Sequence, residues 1–128
     1  MLLPCEIAVK SLIPALRSTI AKELIHKHGL KQKDVADLLG VTQTAVSKYV
    51  CEVRGTVLKI DEVEEFQSMI KEIVVALVDG NMSKYEFIAK FCIACKNIRK
   101  KGLMCKLCKI SDQTIKIEQC HVCDSLEV

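Results

Sequence analysis

Residues 30–49 read LKQKDVADLLGVTQTAVSKY, and this stretch decides the fold. Its apolar residues recur at three- and four-residue spacing on both sides of a short turn, which is typical of helices. The pattern predicts a helix over 32–39, ended by Gly40 because glycine tolerates a positive φ. A further helix is predicted from Gln43 to about Val53, with Thr42 as its N-cap. The residues expected to face inward from the first of these helices are Val35, Leu38 and Leu39.

A preceding helix is predicted over 14–28, with Pro14 in its first turn and Gly29 beyond its end. Three short helices in this order bury the apolar side of the third against the other two. Its polar side then faces outward, with side chains suited to base edges and phosphates. These outward residues are Gln43, Thr44, Ser47 and Lys48.

Residues 14–54 resemble the helix-turn-helix of the XRE family, the class that includes the phage λ repressor and Cro. The matched pattern is Q-x-x-[VL]-A-x-x-[LV]-G-V-[ST]-Q-x-x-[VI]-S. The resemblance implies that Gln32 holds a phosphate while Gln43 and Thr44 read base edges. Lys31 stands where the family usually has a Ser or Thr cap. The expected DNA-binding residues are Gln32, Thr42, Gln43, Thr44, Ser47 and Lys48. Two alternatives remain open, a plain three-helix bundle with a solvated polar face and a helix-turn-helix that contacts proteins.

Two longer helices are predicted after this region. Asp61 is expected to cap a helix that runs to about Val78. Ser83 and Glu86 form the S-x-x-E pattern of a capping box, which opens a helix through about Lys101, before Gly102. The inward residues of the first of these helices are predicted to be Val63, Phe66, Ile70, Ile73, Val74 and Leu77. Residues 103–128 are expected to be short and irregular.

Six of the eight cysteines form three Cys-x-x-Cys pairs within residues 92–123. Two residues between thiols allow both sulfurs to face one metal, on a turn or on a helix. So many thiols in a reducing compartment indicate metal or redox chemistry rather than disulfides. The candidate metal ligands are Cys92, Cys95, Cys105, Cys108, Cys120 and Cys123.

The kind of metal centre is left open by the spacing alone. Zinc needs four ligands, so two pairs would suffice, but the pairs lack the Gly or Pro that zinc knuckles usually carry. An iron–sulfur cluster also takes four thiolates and tolerates irregular spacing. His121 is a possible ligand, although an exposed histidine is the commoner case. Cys5 and Cys51 are expected to be small packing residues, with a place for Cys5 at a cluster site as the alternative. The basic residues around the first two pairs, expected to stabilise thiolates, are Lys96, Arg99, Lys100, Lys101, Lys106 and Lys109.

The layout of the whole chain is similar to a group of archaeal predicted regulators, some of which have been taken to bind iron–sulfur clusters. This resemblance implies an iron–sulfur cluster, with [4Fe-4S] the expected type, and zinc as the alternative. Which four of the six paired thiols would be ligands stays open.

The distribution of charge and the absence of known catalytic motifs limit the functions that the sequence allows. Residues 61–82 contain one basic residue against six acids, whereas the blocks 1–60 and 83–128 each contain nine basic residues against five acids. The basic blocks could attract a polyanion. The opening stretch has an acid where a signal peptide needs an apolar region, so a cytoplasmic location is expected. No nucleophile–base set, P-loop or dinucleotide turn is recognisable, so no enzymatic activity is expected.

The sequence therefore predicts an all-α chain with a λ-repressor-like helix-turn-helix head over 1–58. Residues 59–128 are expected to form a helical dimerisation segment with a cysteine-rich, cofactor-binding tail. The expected function is that of a homodimeric transcriptional regulator of a palindromic operator in double-stranded DNA. Its cluster would sense redox state, oxygen or iron–sulfur supply. An electron carrier or thiol oxidoreductase is the alternative from another class.

Overall fold

The computed structural model describes residues 3–51, residue 60 and residues 63–123. Every regular element in these ranges is helical, which confirms the predicted all-α class. The elements in chain order are α1 (Pro4–Lys10), α2 (Leu12–His26), α3 (Gln32–Leu39), α4 (Gln43–Val50), α5 (Glu64–Asp79), α6 (Lys84–Lys100), α7 (Cys105–Ser111) and a 3₁₀ helix (Ile117–Gln119).

Helices α2, α3 and α4 form the predicted three-helix arrangement, in which α4 packs on both α2 and α3. The bounds of α3 agree with the prediction, whereas α2 begins two residues earlier and ends at His26. Helix α4 ends at Val50 rather than near Val53. The inward assignment of Leu38 is wrong, because this side chain is exposed. Ala36 takes its place on the buried face beside Val35 and Leu39.

Helix α1 was not expected from the sequence. Pro4 occupies its first position, where a missing N–H costs nothing. The Glu6 carboxylate accepts a hydrogen bond from the Leu3 N–H at 2.6 Å and so caps the first turn. Seven residues are too few for a stable isolated helix. The packing of Ile7 and Ala8 in the core therefore holds α1 in place.

Helices α5 and α6 form an antiparallel hairpin joined at Gly80, whose φ of +69° ends α5. The six predicted inward residues of α5 are buried or half-buried, as expected. Asp61 lies outside the described residues, and the residue that precedes the first turn of α5 is Val63. The Ser83 hydroxyl accepts the Glu86 N–H at 3.1 Å, which confirms the predicted cap of α6.

The cysteine-rich tail is more regular than predicted. The second Cys-x-x-Cys pair lies on α7, which packs on α1 and on the 3₁₀ helix. Lys109 Nζ donates to the backbone oxygens of Gln113 and Ile115, each at 2.7 Å. These two hydrogen bonds fold the segment after α7 back onto the helix and bring the third pair near the second.

One hydrophobic core runs through the described residues, from Ile7 of α1 to Cys108 of α7. The predicted division at residue 58 falls among residues outside the described ranges, so that boundary stays a prediction. Within the described part of the chain, no helix is both long enough and apolar enough to cross a membrane.

Candidate nucleic-acid interface and thiol site

The outward face of α4 carries the predicted base-reading side chains. Gln43 and Thr44 are exposed, and Ser47 and Lys48 are half-exposed one turn later. The opposite face is buried, with Val46 fully inaccessible to solvent. A short helix with one buried side and polar residues at its N-terminal end has the shape and chemistry that enter a major groove.

The start of α4 is fixed by its cap and by the turn before it. The Thr42 Oγ1 accepts the Ala45 N–H at 3.1 Å, so this side chain has a structural use besides its predicted place at the interface. Gly40 has a φ of +68°, and the Val41 N–H donates to the Ala36 oxygen at 3.1 Å across it. This tight turn sets the angle at which α4 leaves α3.

Helix α3 begins beside this face. Gln32 is the first residue of α3 and is half-buried, while Lys31 and Lys33 on either side are exposed. Lys31 occupies the N-cap position without a side-chain cap, as predicted from its departure from the XRE pattern. Open N–H groups at a helix N-terminus and two exposed ammonium groups together suit a phosphate.

The second and third cysteine pairs meet in the tail. All four of their thiols line one cavity of about 50 Å³, whose other walls include Met104 and Ile117. Cys108 is buried, and the other three cysteines are half-buried. The cavity-lining cysteines are Cys105, Cys108, Cys120 and Cys123. The structure thus brings together four of the six predicted metal ligands.

The first cysteine pair lies beside this cavity on α6. Cys92 is exposed, whereas Cys95 is half-buried and faces the guanidinium of Arg99. Burial raises the pKa of the Cys95 thiol, and the nearby Arg99 charge opposes that rise. Burial, with Cys123 and Cys105 close by, likewise raises the pKa of Cys108.

Arg99 is the one charged residue among the buried side chains of the described residues, with 8% of its surface exposed. Its Nη1 donates to Cys5 Sγ at 3.6 Å, and its guanidinium also lies near Cys123. Burial opposes its charge, but these contacts with Cys123 and Cys5 raise the pKa of Arg99. Its Nε has no hydrogen-bond partner among the described residues.

Two expectations about single cysteines are wrong. Cys5 and Cys51 are exposed and so are not packing residues. Cys51 follows the last residue of α4, while Cys5 contacts Arg99 beside the cavity. Sequence reasoning included Arg99 only as one of several basic residues, and it gave Cys5 a place at the site only as an alternative. No local pattern could have paired two residues that are 94 positions apart.

Among the described residues, no group of three or more His, Cys, Asp or Glu side chains is arranged so that it could hold a metal ion as the side chains stand. All eight cysteines lie within the described ranges as thiols. His121 is exposed. The predicted metal ligands therefore remain predictions, and the cavity defines which of them are neighbours.

The fold and the outward face of α4 define a helix-turn-helix module. In agreement, residues 20–50 match the family model described as Helix-turn-helix. This match covers α3, α4 and the C-terminal part of α2, and it supports a DNA-binding regulator of the XRE type. Comparisons with curated proteins and with solved structures gave no match.

Proposed function

We propose that this chain is a sequence-specific transcriptional regulator that reads double-stranded DNA with α4. The observation that carries the proposal is the exposed polar face of α4 within a matched helix-turn-helix. Gln43 and Thr44 would contact base edges, since they stand at the N-terminal end of the helix. Gln32 and Lys48 would contact the phosphates on either side.

The DNA-reading role is tested by selecting a preferred sequence from random duplexes and measuring affinity by fluorescence anisotropy. The double variant Gln43→Ala/Thr44→Ala should bind that sequence at least tenfold more weakly, because each lost base contact costs about 1–3 kcal/mol. Lys48→Ala should weaken binding to all sequences alike and lower the salt dependence. Ser68→Ala, on the exposed side of α5, is the matched control. Unchanged selectivity in the double variant would remove α4 as the reading helix.

The cysteine-rich tail is proposed to bind an iron–sulfur cluster, with Cys105, Cys108, Cys120 and Cys123 as its ligands. Four cysteines line one cavity, which equals the number of thiolate donors that a cluster takes. Buried Arg99 offsets the negative charge of a tetrathiolate centre. When bound, the cluster would supply a redox-active metal centre.

The metal content of protein purified without oxygen tests this assignment. Brown protein with iron and acid-labile sulfide supports a cluster, whereas colourless protein with one zinc per chain would replace it with a structural zinc site. Cys108→Ser should lose the metal. Cys92→Ser, at the exposed cysteine of the first pair and outside the cavity, should keep it. Loss of the metal in Cys92→Ser alone would overturn this choice of ligands.

The regulator is further proposed to be a homodimer that binds a palindromic operator, with cluster loss as its signal. A set of exposed apolar side chains near the α5–α6 turn, here called the apolar group, supports dimerisation, because burying them against a second copy would be favourable. It comprises Val75, Val78, Tyr85 and Ile88. Affinities of the cluster-loaded and chelated protein for the selected duplex should differ. Equal affinities of the two forms would mean that the tail has no sensing role in DNA binding. An electron carrier would show no preference for any DNA sequence.

A further inference from the structure

We propose that Cys5 is a further thiol of the tail site and that, through Arg99, it fastens α1 to that site. Loss of metal at the tail site would then move the helix-turn-helix through α1 rather than through α5. This inference rests on the proposed function for its signal, but the contact itself needs no metal.

The contact between Arg99 and Cys5 joins α6 to α1. Arg99 Nη1 lies 3.6 Å from Cys5 Sγ, and Arg99 lines the cavity together with Cys123 of the third cysteine pair. Pro4, the residue before Cys5, lines the cavity with the four thiols. Helix α1 also packs on α7, which carries the second pair. One side of α1 therefore forms part of the wall of the site.

The burial of Arg99 distinguishes it from the other basic residues of the tail, which lie at the surface or are half-buried. An arginine residue that is only 8% exposed needs polar or anionic partners for its guanidinium, since an unpaired buried charge is costly. Its Nη1 donates to the Cys5 sulfur, Cys123 lies nearby, and its Nε is left without a hydrogen-bond acceptor among the described residues. The cation thus depends on the thiols around it, and changes in those thiols change what holds α1.

From α1 the connection to the DNA-reading helix is short. Ser11 joins α1 directly to α2, and its hydroxyl donates to the Ile7 oxygen at 2.7 Å. Helix α2 is in turn the main packing partner of α4. Helix α5 also packs on α2, but none of the residues that line the cavity belongs to α5. Helix α6, which carries Arg99, also packs on α2. Movement at the site therefore reaches α4 through α2, from α1 and from α6.

The first experiment measures alkylation of Cys5 by iodoacetamide, residue by residue, using mass spectrometry. Arg99→Gln should lower the rate at Cys5 roughly tenfold, because the guanidinium no longer stabilises the thiolate that iodoacetamide attacks. Arg99→Lys, which keeps the charge, should lower it less. Cys51, exposed at the end of α4, is the internal control and should react alike in all forms. An unchanged rate at Cys5 with Cys51 constant would refute the contact, whether or not the protein binds metal.

The second experiment compares amide hydrogen exchange before and after chelation of the metal. Faster exchange in α1 and the first turn of α2, with α5 unchanged, is the expected result. Faster exchange in α5 with α1 unchanged would overturn the proposed connection. If the protein purifies without metal, the cluster assignment fails, and Arg99→Gln alone should then produce the same rise in α1 exchange. No rise in that variant would overturn the fastening of α1 as well.

Discussion

Thr42 and Thr44 show how neighbouring residues of one type serve different purposes. Thr42 accepts the Ala45 N–H, whereas Thr44 is exposed with its side chain directed away from the core. Thr42→Ala should lower the free energy of unfolding by about 1 kcal/mol, the usual cost of losing an N-cap. Urea denaturation measures this change.

The matched variant Thr44→Ala should leave the free energy of unfolding within about 0.5 kcal/mol, as surface substitutions usually do. It should instead weaken binding to the selected duplex. Equal stability losses in the two variants would show that Thr42 does not act as the cap.

Asp112 should titrate below the usual range for a carboxyl group. Hydrogen bonds from the Thr114 hydroxyl at 2.6 Å and from its backbone N–H at 3.1 Å lower the pKa of Asp112. A lowered folded-state pKa means that this group stabilises the fold above its unfolded-state pKa and ceases to do so as the pH falls through the folded-state value. Carboxyl chemical shifts against pH measure the pKa, and Thr114→Val should raise it towards normal. A pKa at or above the usual value in the unaltered protein would contradict the turn geometry.

Among the helices, α1 should contribute to the free energy of unfolding through its buried face alone. Ile7 is 5% exposed in the core, whereas Val9 is 61% exposed two residues later. Ile7→Ala should lower the free energy of unfolding by about 2–4 kcal/mol, since it leaves a cavity. Val9→Ala on the same helix should change it by less than about 0.5 kcal/mol. Thermal denaturation of both variants tests this. A small effect of Ile7→Ala would mean that α1 is not held by the core.

The elements that the sequence predicted well are those with strong local signals. Helices α3 and α6 combine clear end residues with apolar spacing, so their bounds could be read directly. Helix α1 was missed because its stability comes from packing against α2 and α7. Helix α7 lies far along the chain, so this packing leaves no local pattern in the sequence of α1. Helix α7 was missed because cysteine spacing gave no helical pattern. Tertiary contacts decide such short elements.

The sequence indicated which residue types form the candidate thiol site, but not which of the cysteines lie together. Cys-x-x-Cys spacing identified three pairs, but only the fold places the second and third on one cavity and leaves Cys92 exposed. The DNA-reading face needed no such information, because outward positions on α4 follow from helical periodicity. Long-range partners such as Cys5 and Arg99 carry no sequence signature.

At the scale of the molecule, the segregated charges partly compensate one another. Lys90 pairs with Glu72 at 2.9 Å, and Lys101 pairs with Glu65 at 3.0 Å. Both pairs join the acidic α5 to the basic segment that follows it, and both are exposed, so each adds little stability. Part of the basic charge of the tail is therefore neutralised within the chain. The basic residues of the head, including Lys31 and Lys33, remain the better source of attraction for DNA.

The apolar group near the α5–α6 turn gives the prediction that concerns the whole molecule. Tyr85 is 80% exposed in the first turn of α6, beside Ile88 on the same face. Tyr85→Glu should convert the proposed dimer into a monomer of 14.3 kDa, because it would place a charge in the proposed apolar interface. A carboxylate is favourable near a helix N-terminus, so the monomer itself should stay folded. Multi-angle light scattering with circular dichroism measures both properties.

Ile110→Glu is the control for this dimer test, since Ile110 is 74% exposed on α7, outside the apolar group. This variant should keep the mass of a dimer. The monomeric Tyr85→Glu should also lose affinity for a palindromic duplex while it retains binding to a single half-site, since two linked modules span half-sites about 34 Å apart. A Tyr85→Glu protein that stays dimeric would place the interface elsewhere. An unaltered protein with the mass of a monomer, and the same affinity for one half-site as for two, would exclude the dimer altogether.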